Sequence, residues 1–151
     1  MKIDVINKKI LYLLQKDARM TYKEIAKELK RSETTIRDRI KAMERVGVIQ
    51  GYTALVDKTA LGLNFFAILL SNPVHSSELD AITEKIKKVK NVLRVYQISG
   101  EQRLAVFMVA PSYRELKEII RTQLLPLGLK DEEIITVLEA DREFISPLEI
   151  P

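Results

Sequence analysis

The sequence predicts an α+β chain in two parts: an N-terminal winged helix-turn-helix built on three short helices, and a C-terminal ferredoxin-like β-α-β-β-α-β sandwich. Three observations predict it. Apolar residues recur at helical spacing through residue 46. From residue 63, apolar runs rich in Ile, Leu, Val and Phe alternate with two one-sided helical patterns. Between the two regimes the chain is punctuated by Gly47, Gly51 and Gly62.

Residues 4–16 place Ile6, Ile10, Leu13 and Leu14 on one helical face behind Asp4, an N-cap candidate. Thr21-Tyr22-Lys23-Glu24 is a capping box, whose Thr and Glu can each satisfy an orphan amide, so a second helix starts there and runs to Leu29 with Ile25, Ala26 and Leu29 inward. The Lys30-Arg31 link leads to Ser32, suited to cap a third helix over 33–46, which Gly47 ends. Residues 48–57 form two short β-type runs around Gly51, a small wing or a linking strand, and a helical turn over 58–61 follows.

The remaining pattern reads strand 63–71, helix 77–89, strand 92–99, strand 103–110, helix 112–125 and strand 133–138. The first of these helices has Leu79, Ile82, Ile86 and Val89 on one face; the second opens on Ser112-Tyr113-Arg114-Glu115, another capping box, before Leu116, Ile119, Ile120 and Leu124. The right-handed crossover rule puts both helices on one face of an antiparallel sheet. The runs 63–70 and 104–109 are nevertheless apolar on both faces, so the second face needs a cover as well. A homodimer joined sheet to sheet is expected, since the tail at 140–151 is short and rich in Asp, Glu and Pro. The domain expectation is therefore 1–52 for the helix-turn-helix, 53–62 as linking strand and turn, 63–139 for the ferredoxin-like dimerisation unit, and 140–151 as tail.

The chain has 151 residues, 46% hydrophobic and 30% charged, which suits a folded domain or two small ones. With no Cys and one His, it cannot build a disulfide framework, a Cys-based zinc site, a Cys nucleophile or a two-His metal site. No metal, cofactor or enzymatic activity is expected. The first residues lack an apolar signal core, and no apolar run nears the roughly 18 to 20 residues needed to span a bilayer, so a cytoplasmic protein with no membrane partner is expected. Net charge is +4, but residues 1–52 carry eight Lys and five Arg against seven acids, a net +6, which leaves −2 for the rest. A basic segment on an acidic body is what a phosphate backbone attracts.

The second and third helices, joined by a short turn and braced by the first, have helix-turn-helix grammar. Ile36, Ile40 and Met43 form the inward stripe of the third helix, which turns Thr34, Asp38, Lys41 and Arg45 outward with Arg37 on one flank. Arg39 lies nearer the buried stripe and reads as structural. Double-stranded DNA is the expected partner. Thr34 and Thr35, near the helix start at Ser32, can reach base edges or phosphates; Arg37 suits a bidentate guanine contact; Asp38 can accept from cytosine N4 or orient an Arg; and Lys41, Arg45, Lys30 and Arg31 suit phosphates. The blander reading is a small bundle with a solvated basic face. The cluster Lys85, Lys87, Lys88 and Lys90 reads as a solvated helix end and His75 as an ordinary loop residue.

These stretches resemble the Lrp/AsnC (leucine-responsive, feast/famine) family. The resemblance rests on Asp4 to Leu14 followed by Asp17-Ala18-Arg19, Ile25-Ala26, the run from Ser32 to Arg39-Ile40, Glu44-Arg45-Val46-Gly47-Val48-Ile49-Gln50-Gly51-Tyr52, and Leu61-Gly62; with the β-α-β-β-α-β half it covers about 3–139. It implies a transcriptional regulator whose C-terminal half, of the RAM or ACT type, dimerises, assembles further into tetramers or octamers, and often binds an amino acid between dimers. The family's loop resembles Gly-Asp-Tyr-Asp, whereas this chain has Gly100-Glu101-Gln102-Arg103, and the family's threonines on the last strand fall near Glu132 and Ile134. Arg103 and Glu101 either pair in a ligandless interface or admit a different, charged effector. Rival readings are an architectural DNA-compacting protein and, within the same family, a siroheme decarboxylase, for which His75 is the lone histidine.

Overall fold

The computed structural model describes residues 2–139 and Pro147; the rest of the tail at 140–151 lies outside the described residues. The chain divides into two compact units, the first ending at Leu55 and the second beginning at Val56. The first holds α1 (Val5–Lys16), α2 (Tyr22–Leu29) and α3 (Glu33–Arg45). Each starts at the cap its sequence announces: Asp4 accepts from the Asn7 N–H, Thr21 and Glu24 close a reciprocal capping box, and Ser32 accepts from the Thr35 N–H. At the end of α3 the Val48 N–H donates to the Met43 carbonyl at 2.9 Å, past a Gly47 at φ +74°. A residue without Cβ takes that left-handed step at no steric cost. Ile10, Ile25, Ala26, Ile36, Ile40 and Met43 form the buried core, with Leu13, Leu14 and Leu29 packed on it.

The stretch expected to form a wing or linking strand does not form one: among the described residues, no strand occurs between α3 and Phe65. The side chains have β character, but a strand also needs a neighbour for its N–H and C=O groups. Among the described residues no second strand runs beside residues 48–57. The turn expected over 58–61 is present, closed by Leu61 N–H to Lys58 C=O and Gly62 N–H to Thr59 C=O.

The second unit contains β1 (Phe65–Pro73), α4 (Leu79–Ile86), β2 (Val92–Gln97), β3 (Leu104–Ala110), α5 (Tyr113–Ile119) and β4 (Leu129–Thr136). The four strands are ordered β2-β3-β1-β4 and pair antiparallel throughout. That is the ferredoxin-like arrangement expected from β-α-β-β-α-β. Ala67, Leu69, Val106, Met108, Ile82, Ile86, Leu116 and Leu124 build one core between the sheet and its helices.

Boundaries differ where the side-chain pattern is silent. Helix 77–89 begins as a tight turn at Ser76–Glu78 and ends at Ile86. Helix 112–125 is α-helical only to Ile119, then widens over Ile120–Leu124 and tightens over Leu125–Leu127. Pro126 has no N–H to continue the ladder, and Gly128 at φ +96° turns the chain. The last strand starts at Leu129 and not at 133: residues 130–133 show no apolar alternation, yet Lys130 pairs with Asn72 and Glu133 with Leu70 on either side of a bulge. Among the described residues, no helix is long and apolar enough to cross a membrane, and no group of acidic residues and His could hold a metal ion.

Candidate nucleic-acid interface

The turn between α2 and α3 sets the interface. Lys30 takes the left-handed conformation at φ 51°, and the Arg31 N–H donates to the Ala26 carbonyl at 2.9 Å, which turns the chain sharply into Ser32. Arg31 itself donates to the Lys30 carbonyl at 3.0 Å. With Ile36, Ile40 and Met43 buried, α3 presents Thr34, Asp38, Lys41 and Arg45 fully to solvent, and Lys30, Arg31 and Ser32 are exposed beside its start. Thr35 and Arg37 are half-buried. The hydroxyls of Thr35 and Ser32 lie 2.7 Å apart, so Thr35 shares a hydrogen bond with the cap residue.

Arg37 is held in place before any partner arrives. Its guanidinium donates to the Glu33 carboxylate at 2.8 Å, one helical turn back, and lies over the Tyr22 ring at 5.7 Å. The Glu33–Arg37 spacing is legible in sequence; the Tyr22 contact, made between helices, is not. Arg39 has the bracing role its position suggests: it donates to Asp4 at 2.7 Å and to the Asn7 side chain at 2.9 Å, tying α3 to the first turn of α1. The Asn7 N–H and then the Arg39 guanidinium hold the Asp4 carboxyl below its ordinary value of 3.8. The Thr21 N–H and hydroxyl likewise lower Glu24.

Beyond α3, Tyr52 folds back and its hydroxyl donates to the Glu44 carboxylate at 2.9 Å. Partial burial, then the adjacent carboxylate, push that hydroxyl up to about 12. Tyr52 and Glu44 line a cavity of about 360 Å³ with Leu14, Met20, Tyr22 and Ile40, under the junction of the three helices.

The predicted effector residues lie in the second unit. Gly100, Glu101 and Arg103 are exposed and Gln102 half-buried in the β2–β3 loop; Glu132 is exposed on β4, while Ile134 packs against the helix-side core. Among the described residues, no ion pair joins Glu101 to Arg103. The loop is fastened by a residue the sequence did not single out. Asn72 donates to the Glu101 carbonyl at 3.2 Å and to the Asp131 carboxylate at 3.4 Å, and accepts from the Arg103 N–H at 3.0 Å. These contacts span up to 59 positions, so no local signal could have found them. His75 is an exposed loop residue before the Ser76–Glu78 turn, and Lys85, Lys87, Lys88 and Lys90 are exposed, with Lys87 paired to Glu84.

Comparison with known proteins bears on both units. A sequence profile described as winged helix-turn-helix DNA-binding matches residues 3–50, and one described as Lrp/AsnC ligand binding domain matches 66–142. The chain is similar to a transcriptional regulator of the helix-turn-helix type from Pyrococcus abyssi, 33% identical over 93% of this chain and 95% of that one. It is 35% identical to the regulator LrpA of Pyrococcus horikoshii over 81% of this chain and 86% of that one. Among solved structures, the fold matches AsnC of E. coli with TM-score 0.86 at 22% identity, over 97% of this chain and 100% of that one. It also matches a transcriptional regulator of Neisseria meningitidis in complex with L-Met, with TM-score 0.87 at 21% identity over 96% of both.

Proposed function

The chain belongs to the Lrp/AsnC family of transcriptional regulators, and from that premise we propose that it works as a homo-oligomer which reads duplex sequence through α3 and answers to a small effector held by its second unit. It is a regulator with a DNA-binding domain and a ligand-binding domain, and its relatives are regulators and not enzymes, which sets the siroheme decarboxylase reading aside. The observation that carries the finer reading is the solvent face of α3. Thr34, Asp38, Lys41 and Arg45 stand clear of the core, and Arg37 is pre-positioned beside them by Glu33 and Tyr22.

In this reading Arg37 forms paired hydrogen bonds to a guanine, exchanging Glu33 for the base edge while Tyr22 keeps the guanidinium plane in place. Asp38 accepts from cytosine. Thr34, Thr35 and the exposed N–H groups around Ser32 take base edges or a phosphate at the helix start, and Lys30, Arg31, Lys41 and Arg45 neutralise the flanking backbone.

Dimerisation is supported by the face of the sheet turned away from the helices. It carries Phe66, Ile68 and Leu70 of β1, Phe107 of β3, Tyr96 of β2 and Ile135 of β4; Tyr96 is 49% and Ile135 40% exposed. An apolar, aromatic face of four strands needs a cover, and a second copy offers the same face to it. Two α3 helices then read half-sites about 34 Å apart in successive major grooves. Assembly into tetramers or octamers would extend the contact along the duplex. An effector acts only if it binds one assembly more tightly than another. The complex of the Neisseria regulator with L-Met supports an amino acid as the class, and the family resemblance of the loop from Gly100 to Arg103 makes that loop the place to seek it.

Selection of genomic fragments by the purified protein, with and without pooled amino acids, tests the reading. The expected result is a recurrent pseudo-palindrome with half-sites one helical turn apart, and altered retention with the pool. A specific-to-nonspecific affinity ratio near one would overturn sequence reading in favour of the architectural role.

A further inference from the structure

The bulged end of the sheet, where β4 meets the β2–β3 loop, carries an open cavity of about 310 Å³ at the surface. We propose that this cavity receives an acidic amino acid, with one carboxylate on Arg103, the other on Lys130 and the ammonium on Asp131. The inference rests on the reading that the second unit takes a small-molecule effector, and it names the class.

Charge balance points that way. The ionisable groups lining the cavity are Arg103, Lys130 and Asp131, two cations and one anion, the inverse of a ligand with two carboxylates and one ammonium. Glu101 and Glu132, though on the same loop and strand, are not part of the lining. The backbone of Arg103 is anchored at the rim: its N–H donates to the Asn72 side chain and to the Ser71 carbonyl at 3.2 Å, and its carbonyl accepts from the Ile98 N–H at 2.9 Å. Among the described residues, its guanidinium takes no acceptor. Lys130 and Asp131 touch only loosely, at 3.9 Å, so a ligand carboxylate competes with a weak exposed pair.

The cavity is also built by backbone that side-chain preference would not choose. Asp131 sits at φ 54°, a left-handed conformation that side chains disfavour, beside the bulge between Leu70 and Asn72. Asn72 then restrains its carboxylate. Ser76 adds a hydroxyl, and Pro73 and Val74 an apolar side for the short methylene chain of an acidic amino acid.

Calorimetry and thermal melts of the full chain test this with L-aspartate, L-glutamate, succinate, glutarate, L-asparagine, L-glutamine and L-leucine as probes. L-aspartate or L-glutamate should bind and raise the melting temperature. The matching amide, lacking the second carboxylate, and the matching dicarboxylate, lacking the ammonium, should each bind at least tenfold more weakly. Arg103→Met and Lys130→Met, both at exposed side chains, should each weaken the acidic ligand by tenfold or more, and Asp131→Asn should narrow the gap between amino acid and dicarboxylate. Tighter binding of leucine or an amide than of either acid would overturn the inference and leave the effector reading standing. So would unchanged affinity in both Met variants, judged with folding checked by circular dichroism. If none of the seven probes binds, the inference falls, and duplex selection shows separately that DNA reading stands.

Discussion

The two units solve the burial problem differently. In the helical unit each helix gives one apolar stripe to a shared interior, and capped, charged faces meet the solvent: Asp4, Thr21 and Ser32 satisfy the helix starts, and Arg39 ties α3 to α1. In the sheet unit one face is packed under α4 and α5 while the other presents Phe66, Ile68, Phe107 and Tyr96. The rings on that face are already arranged, Tyr96 edge-on to Phe107 at 5.5 Å and Phe66 tilted against Phe107 at 6.2 Å. A unit whose surface is charge needs no further cover; one whose surface is half a core needs one, which the proposed dimer would supply. The first kind of surface suits reading a polyanion, the second suits holding two readers.

The most forceful way to break that contrast is Phe107→Asp. A buried, unpaired carboxylate at the joined sheets should cost about 3–5 kcal/mol in each protomer. Sedimentation should show a monomer at micromolar concentration with unchanged circular dichroism; a dimer that survives would mean the sheet face is not the joint. Next, Ile40→Ala should cost about 2–5 kcal/mol through the cavity it leaves in the helical core, abolishing DNA binding while the oligomer persists in sedimentation.

On the solvent face of α3 the effects are smaller and differ in kind. Arg37→Ala should lose about 1–3 kcal/mol of duplex affinity and relax one base preference, whereas Lys41→Ala should weaken all sequences alike and lower the salt slope by about one. Equal loss of specificity in both, measured by fluorescence anisotropy on matched and mismatched sites, would contradict the roles given to them.

The pH dependence has a definite sign. Because the Asp4 carboxyl is lowered in the folded chain, its contribution is present above the ordinary value of 3.8 and is lost as pH falls through the lowered value. Acid melts should therefore show wild type losing stability over that window and Asp4→Asn losing less. The smallest change is expected at Ser71, fully buried in β1 with its hydroxyl unpartnered among the described residues. Ser71→Ala removes an unsatisfied group at little cost in volume, so the melting temperature should hold or rise slightly.

What could be read along the chain was whatever neighbours in sequence settle. Caps three residues apart, helix faces at 3.6-residue spacing and β runs between glycines placed every helix start of the first unit and all four strands of the second, because those signals are local. The segment after Gly47 differs for the complementary reason: among the described residues no second strand lies alongside it, and β-type side chains alone do not make a strand.

The solvent face of α3 was equally legible, since burying Ile36, Ile40 and Met43 leaves no choice about where Lys41 and Arg45 point. The setting of Arg37 on Tyr22, the bracing of Arg39 by Asp4, the early start of β4 and the clamp of Asn72 on two distant segments were decided by tertiary structure. Each depends on atoms brought together from remote positions by burial and backbone pairing, and neither force leaves a mark in the spacing of residues along the chain.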